Sequence, residues 1–373
     1  MSGKVECRAE SKLVWSDDAP QVPVCVRRPA VSGRLDAHVI IEVSDLTKDF
    51  SRPDVRPGRF AGTRSLFTRA RKITRAVDGI SFQIDDGELI GFLGPNGAGK
   101  STTIKMLTGI LVPTSGTVTV AGQVPWRDRR RNARTIGAVF GQRTQLWYDL
   151  PLRNSFEIIR DLYTMDPETY RTRLGEFTEL LDLDEFIDTP VRSLSLGQRM
   201  RGDLVAAMLY GPRILYLDEP TVGLDVVAKG KIREFVAEIN AGRGTTVILT
   251  THDMDDVERL CRRVVIIDHG KILYEGDVDM LKAQYVTSRD VVVHCTDYDA
   301  TTISSPYAQV VSADTFKATL RFDPNTTAAP KVVHDLTSRY PITDLSLLEP
   351  DLEDVIRQLY TERTPVPARS TGD

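Results

Sequence analysis

The sequence predicts an α/β fold: a largely parallel sheet covered by helices, followed by a smaller α+β unit at the C-terminal end. Three observations point there. Short apolar runs recur at 88–93 (Glu-Leu-Ile-Gly-Phe-Leu), 214–217 (Ile-Leu-Tyr-Leu), 247–249 (Val-Ile-Leu) and 264–267 (Val-Val-Ile-Ile), each bounded by Gly, Asp or charged residues. Runs of that length and polarity suit strands buried on both faces. A glycine-rich loop follows the first run and opens a helical stretch. Beyond about residue 287 the text changes to strand-like 291–293 and 318–322, then helix-like stretches near 328–339 and 352–360.

Taken in order, residues 1–38 carry mixed charge and Pro20, Pro23 and Pro29 without a sustained apolar period, and read as a mobile extension. Val39 to Val43 is rich in β-branched residues and reads as a strand. Between about 51 and 75, Arg52, Arg56, Arg59, Arg64, Arg69, Arg71, Lys72 and Arg75 crowd a segment whose only acid is Asp54. That insertion is either a solvated charged loop or a basic flap for anionic lipid headgroups or a membrane partner. A helical subdomain is expected over about 145–205. Asp166 and Pro167 supply an N-cap and a first-turn proline, and Tyr170, Leu174, Phe177 and Leu181 recur on one face. The C-terminal domain spans 287–362, and residues 363–373 read as a disordered tail.

Composition narrows the function. The 48 Lys and Arg against 52 Asp and Glu leave a net charge of −4, unlike the basic excess of a dedicated nucleic-acid binder, so no nucleic-acid partner is expected. Cys7, Cys25, Cys261 and Cys295 are scattered without a Cys-x-x-Cys pair, which suggests neither a zinc site nor a disulfide framework. No run approaches the roughly 18 to 20 apolar residues that cross a bilayer, and the first 37 residues lack a secretory layout. A soluble protein is expected, with any membrane path supplied by other polypeptides.

The chemistry starts at Gly94-Pro95-Asn96-Gly97-Ala98-Gly99-Lys100-Ser101, followed by Thr102. This is the Gly-x4-Gly-Lys-Ser loop in its strand-to-helix setting. Its glycines let backbone N–H groups turn toward phosphates, and the helix N-terminus adds positive potential. Lys100 supplies a charge for β- and γ-phosphates, and the Ser101 hydroxyl suits Mg2+. A second apolar run ends in Asp218-Glu219-Pro220. Successive strand residues point to opposite sides, so Asp218 is read as holding the Mg2+ shell and Glu219 as polarising the attacking water. His252 closes the run Leu249-Thr250-Thr251 at the carboxyl edge of the same sheet, where open α/β folds bind ligands. It is read as a γ-phosphate sensor that also orients water; His38, His269, His294 and His334 lack such a setting.

Leu194-Ser195-Leu196-Gly197-Gln198 resembles the Leu-Ser-Gly-Gly-Gln signature of ATP-binding cassette (ABC) ATPases. Gln142 sits at the family's Q-loop position, Gly223-Leu224-Asp225 looks like its D-loop and His252 matches its switch histidine. The resemblance covers about 39–285 with the motifs in order. It implies an ABC-type nucleotide-binding domain: a phosphate-loop, RecA-like core with an antiparallel β edge and a helical subdomain. It further implies ATP and Mg2+ as cofactors, with Gln142 among the nucleotide and metal contacts. Two subunits would stack head to tail, so that Ser195, Gly197 and Gln198 complete the partner's γ-phosphate site. Leu196 departs from the pattern's Gly; its side chain either limits backbone approach or packs outward. Phe50 best matches the family's adenine-stacking aromatic, with a core phenylalanine as the alternative. Leu146, Trp147 and Tyr148 either line a groove for a membrane partner's helix or pack within the subdomain.

The last ninety residues resemble the C-terminal domain of ATPases that serve ABC-2-type exporters, including drug and lipophilic-cation efflux systems. The resemblance therefore implies a transport ATPase at the cytoplasmic face of a membrane, working as a dimer with ABC-2-type permease subunits. A soluble ABC ATPase acting on ribosomes or DNA, and a regulatory nucleotide sensor, are the alternatives.

Overall fold

The computed structural model describes residues 38–53, 71–141, 143–285, 288–348 and 351–363. The extension 1–37, most of the basic insertion, Gln142 and the tail 364–373 lie outside the described residues.

In chain order the elements are β1 (Val39–Pro53), β2 (Arg71–Asp85), β3 (Leu89–Leu93), α1 (Lys100–Leu107), β4 (Ser115–Val120), α2 (Arg129–Thr135) and β5 (Ile136–Phe140). Then follow α3 (Leu152–Leu162), α4 (Pro167–Leu180), α5 (Leu196–Met208), β6 (Ile214–Asp218), α6 (Val226–Arg243), β7 (Thr246–Thr250), α7 (Met254–Leu260) and β8 (Arg263–Asp268). The chain closes with β9 (Lys271–Asp277), α8 (Val278–Tyr285), β10 (Arg289–His294), β11 (Gln309–Ala313), β12 (Lys317–Phe322), α9 (Ala329–Arg339), β13 (Asp344–Leu348) and α10 (Leu352–Arg363).

The central sheet has the order β5-β6-β7-β3-β8-β9. Its first five strands run parallel and β9 pairs antiparallel with β8. Every residue of β3 and β7 is buried, because helices cover one face and a second sheet covers the other. Alternation along a strand decides the partner of each side chain. Ile214 and Tyr216 face a cluster built with α1 and the antiparallel sheet β2-β1-β4. Leu215 and Leu217 face the opposite cluster, shared with Phe156, Phe177 and Leu204 of the helical layer.

Local signals place the helices. Asp166 caps α4 by accepting from Glu168 and Thr169 N–H at 3.1 and 2.9 Å, and Tyr170, Phe177 and Leu181 are buried beneath it. The basic stretch is partly strand: β1 runs on to Pro53 and pairs with β2 from Arg71. Within it Arg75 is committed to Asp49 and Asp78, each at 2.9 Å, and so does not belong to a free basic flap.

Strands β10 to β13 form a separate antiparallel sheet in the order β11-β12-β10-β13. Its core, with Val291, Val293, Leu320 and Phe322 against Val332 and Leu336 of α9, is distinct from the two clusters above. Helix α10, assigned to the 287–362 unit from sequence, packs elsewhere. Leu352, Val355, Ile356 and Leu359 join Val257, Cys261, Val278 and Leu281 in the cassette's helical cluster. The Leu352 N–H donates to Glu258 Oε1 of α7 at 2.8 Å. The 3-1-3 spacing of those apolar residues is an ordinary helix stripe, and only tertiary packing shows what it covers.

Candidate nucleotide site

The loop 94–99 carries the chain from the buried strand β3 into α1. Gly97 has φ 85° and Gly99 has φ 112°, a region that side chains enter only at a cost. At Gly99 a Cβ would also lie 2.6 Å from the Ala76 carbonyl oxygen, so the loop closes against β2 only because that atom is missing. Pro95, Asn96 and Gly97 are exposed, Gly94 and Thr102 are half-buried, and Ala98 is buried. Lys100 is 6% exposed, and its ammonium donates to the carbonyls of Gly94 and, at 3.2 Å, Pro95. Burial lowers its pKa from the ordinary lysine value, against the opposing pull of Glu219 and Asp218. A buried cation beside the exposed residues Asn96 and Gly97 is electrostatically suited to an anion.

Parallel pairing of β6 with β7 sets Asp218 opposite Thr250. Thr250 Oγ1 donates to Asp218 Oδ1 at 2.5 Å, and Ser101 Oγ lies 3.4 Å from the same oxygen. Ser101, Asp218 and Thr250 thus gather hard oxygens at the start of α1. Such a set fits Mg2+, which takes one or two protein oxygens and completes its shell with water and phosphate. The next residue leaves the sheet: Glu219 has φ 58°, a left-handed conformation rare outside glycine. Its carboxylate therefore meets the second strand end, with Glu219 Oε2 2.6 Å from His252 Nδ1. The turn is pinned by Glu219 N–H to Thr250 O at 2.9 Å.

Behind this pair lies a polar cluster that sequence reasoning missed. Asp256 of α7 is fully buried and accepts from Thr221 Oγ1 and Arg233 Nε, both at 2.5 Å. Lys229 Nζ meets Asp253 at 2.5 Å. Together these groups tie the loop after Glu219 to the loop after His252 through α6. Their separations of 23 to 35 residues left no local signal.

The remaining residues are placed apart. Ser195 caps α5 and accepts from the Gln198 N–H at 3.2 Å, while Gln198 Oε1 accepts from the Ser195 N–H at 2.9 Å. This reciprocal pair is a capping box, so the Gln198 side chain is engaged by its own helix. A Cβ on Gly197 would stand 3.1 Å from Ala228 Cβ, so that glycine also serves the close approach of α5 to α6. Leu196 is 37% exposed and its Cδ2 lies against Gly223. Among the described residues no hydrogen bond links Ser195, Gly197 or Gln198 to the loop 94–101 of the same chain. Gln142 is outside the described residues, but its neighbour Gly141 donates to Asp218 O at 2.8 Å. Phe50 is 36% exposed, so it is not a core side chain, and Lys48 Nζ stands 5.4 Å from its ring. It pairs across the ribbon with Thr74, two residues from the Ala76 carbonyl that touches Gly99. Leu146 is buried, whereas Trp147 and Tyr148 are exposed.

A phosphate loop, paired strand-end carboxylates and a separately capped signature helix define a nucleotide-binding cassette. Comparisons carry this to a family. The ABC transporter profile matches residues 77–222. The chain is 38% identical over 205 residues to the Nod factor export ATP-binding protein I of Burkholderia pseudomallei, covering 55% of this chain and 67% of that one. It is 36% identical over 220 residues to a daunorubicin resistance ATP-binding protein of Streptomyces coeruleorubidus, covering 59% and 69%. A solved ATP-binding subunit of an ABC transporter superposes with a TM-score of 0.56 at 25% identity, covering 66% of this chain and 93% of that one. A dimeric bacterial ABC transporter cassette does so at 0.52 and 25%, covering 64% and 98%. The chain belongs to the ATP-binding subunits of ABC transporters; it binds ATP and hydrolyses it. No helix among the described residues is long and apolar enough to cross a membrane.

Proposed function

We propose that this subunit powers export of a small lipophilic or cationic compound through separate ABC-2-type membrane subunits, from the cytoplasmic face of the membrane. Support comes from relatives named for Nod factor export and for daunorubicin resistance. Gly94 to Thr102 cradle the phosphates, Phe50 stacks the adenine, and Ser101, Asp218 and Gln142 hold Mg2+. The metal, when bound, neutralises charge on the phosphates. Glu219 polarises the attacking water and His252 holds that carboxylate in place while sensing the γ-phosphate. The 2.6 Å contact between Glu219 and His252 carries this reading, since it orients a carboxylate beside Asp218 in the manner phosphoryl transfer demands. Ser195, Gly197 and Gln198 serve the nucleotide of a second copy, with the N-terminus of α5 as the anion site. The exposed Trp147 and Tyr148 offer a contact for a membrane subunit.

Glu219→Gln tests the scheme. Turnover should fall at least about 100-fold, the range over which one well-placed catalytic group acts, while ATP now holds two chains together in gel filtration. A fully active monomeric variant would refute it.

A further inference from the structure

Asp203 is a buried acid that the hydrolytic site does not use. It is the sole acid of α5, the helix whose N-cap is Ser195, and it is 5% exposed. A carboxylate in such a position is costly unless its oxygens are met by donors. The donors all come from one short segment. Thr144 Oγ1 and Gln145 N–H give hydrogen bonds to Asp203 Oδ1 at 2.9 and 3.0 Å, and Gln145 Nε2 donates to the Asp203 carbonyl at 3.0 Å. Packing reinforces the junction. A Cβ on the adjacent Gly202 would lie 2.8 Å from Leu152 Cδ1 and 3.1 Å from Leu146 Cδ1, so α5 and this segment touch without a gap.

The residues just before it are anchored elsewhere. Phe140 pairs with Asp218 at the end of β5, and the Gly141 N–H donates to the Asp218 carbonyl at 2.8 Å. Gly141 therefore belongs to the catalytic sheet edge, and Thr144 belongs to the helical layer. Only positions 142 and 143 lie between, closed by the Arg143 N–H donating to Phe140 O at 2.8 Å. A chain that passes from one rigid layer to another in so short a link transmits a displacement at the sheet edge to whatever the far side is fastened to. The far side is fastened to Asp203, and through α5 to Ser195.

We propose that Asp203 is a positioning residue that latches the signature helix to the segment following Gln142, so that changes at the catalytic sheet edge reset Ser195 and the α5 N-terminus. It touches no nucleotide. The inference rests on the reading that Ser195 serves the nucleotide of a second copy.

The test uses the full-length chain and three variants. Asp203→Asn keeps an oxygen that accepts from Thr144 and Gln145; Asp203→Leu removes it; Thr144→Val removes one donor from the other side. Steady-state phosphate release is measured against ATP concentration, fluorescent-ATP binding is measured at equilibrium, and thermal melting reports folding. Asp203→Leu should lower kcat at least tenfold and Thr144→Val about threefold, with the affinity for fluorescent ATP unchanged in both, and Asp203→Asn should restore kcat to within about twofold. In a Glu219→Gln background the ATP-held dimer should persist with Asp203→Asn and weaken with Thr144→Val and Asp203→Leu. Should Asp203→Leu fail to fold, Thr144→Val and Asp203→Asn decide. A Thr144→Val protein with unaltered kcat and dimerisation, or one whose ATP affinity falls in step with kcat, overturns the latch. Failure of Glu219→Gln alone to dimerise with ATP instead overturns the underlying reading of Ser195, and the latch with it.

Discussion

At the scale of single residues, the site depends on groups whose environment conflicts with their charge. Lys100 is buried, and the loop carbonyls that hold it are an incomplete substitute for an anion. Lys100→Ala should abolish nucleotide binding, read as loss of fluorescent-ATP signal, without lowering the melting temperature, because it removes a desolvated charge. Asp203 makes the same conflict testable by pH. Burial lifts its pKa from 3.8 to about 6, against the hydrogen bonds from Gln145 and Thr144 and the charge of Arg199. Below the unfolded value the carboxyl is neutral in both states and its contribution to stability is fully present. As pH rises the unfolded chain ionises first, so stability falls until the folded group has also lost its proton. The span of the two values corresponds to roughly 3 kcal/mol at most. Asp203→Asn cannot ionise, so the melting temperature of the variant should gain on the parent between pH 4 and pH 7. A difference independent of pH would show that Asp203 ionises without penalty.

At the scale of elements, strand ends and helix starts do the positioning. Parallel pairing of β6 with β7 brings Asp218 to Thr250, and the left-handed turn at Glu219 brings its carboxylate to His252. The loops that leave those strands are joined by Asp256, Thr221 and Arg233, with Arg233 17% and Asp256 1% exposed at the side chain. Replacing Asp256 with Leu takes the nearest partner from Arg233, which keeps Asp255 at 3.4 Å and Asp253 at 4.0 Å, and removing one partner of a buried pair costs up to about 3–5 kcal/mol. Chemical denaturation should show that loss, and hydrolysis should fall with it as the Glu219–His252 contact loosens. Much of this scale was readable in advance. The short apolar runs became β3, β6, β7 and β8, and Asp166 with Pro167 opened α4. What could not be read was the length of β1, because its residues beyond Val43 are mostly polar and acquire strand geometry by pairing with β2 and, as far as Thr47, with β4.

At the scale of the molecule, the C-terminal sheet has its own core, yet the helix that follows it returns to the cassette. Ile356 is 4% exposed against α7 and α8 neighbours, and Ile356→Ala should cost about 2–5 kcal/mol, the usual range for emptying a core site. A two-state melt that loses stability throughout would show α10 to be part of the cassette's cooperative unit; an early, separate transition confined to the C-terminal sheet would contradict it. The sequence by itself determined the chemistry that is encoded locally. The phosphate loop, the Asp218-Glu219 strand end and the signature each occupy one contiguous stretch, where spacing and residue type suffice. Only the tertiary structure decided which distant groups complete them: Thr250 on Asp218, Asp256 behind Glu219, Asp203 on the segment after Gln142, and α10 on α7. Each of these contacts joins residues more than thirty positions apart. Periodicity marks a face as apolar or a carboxylate as available, but the partner is chosen by how the layers stack.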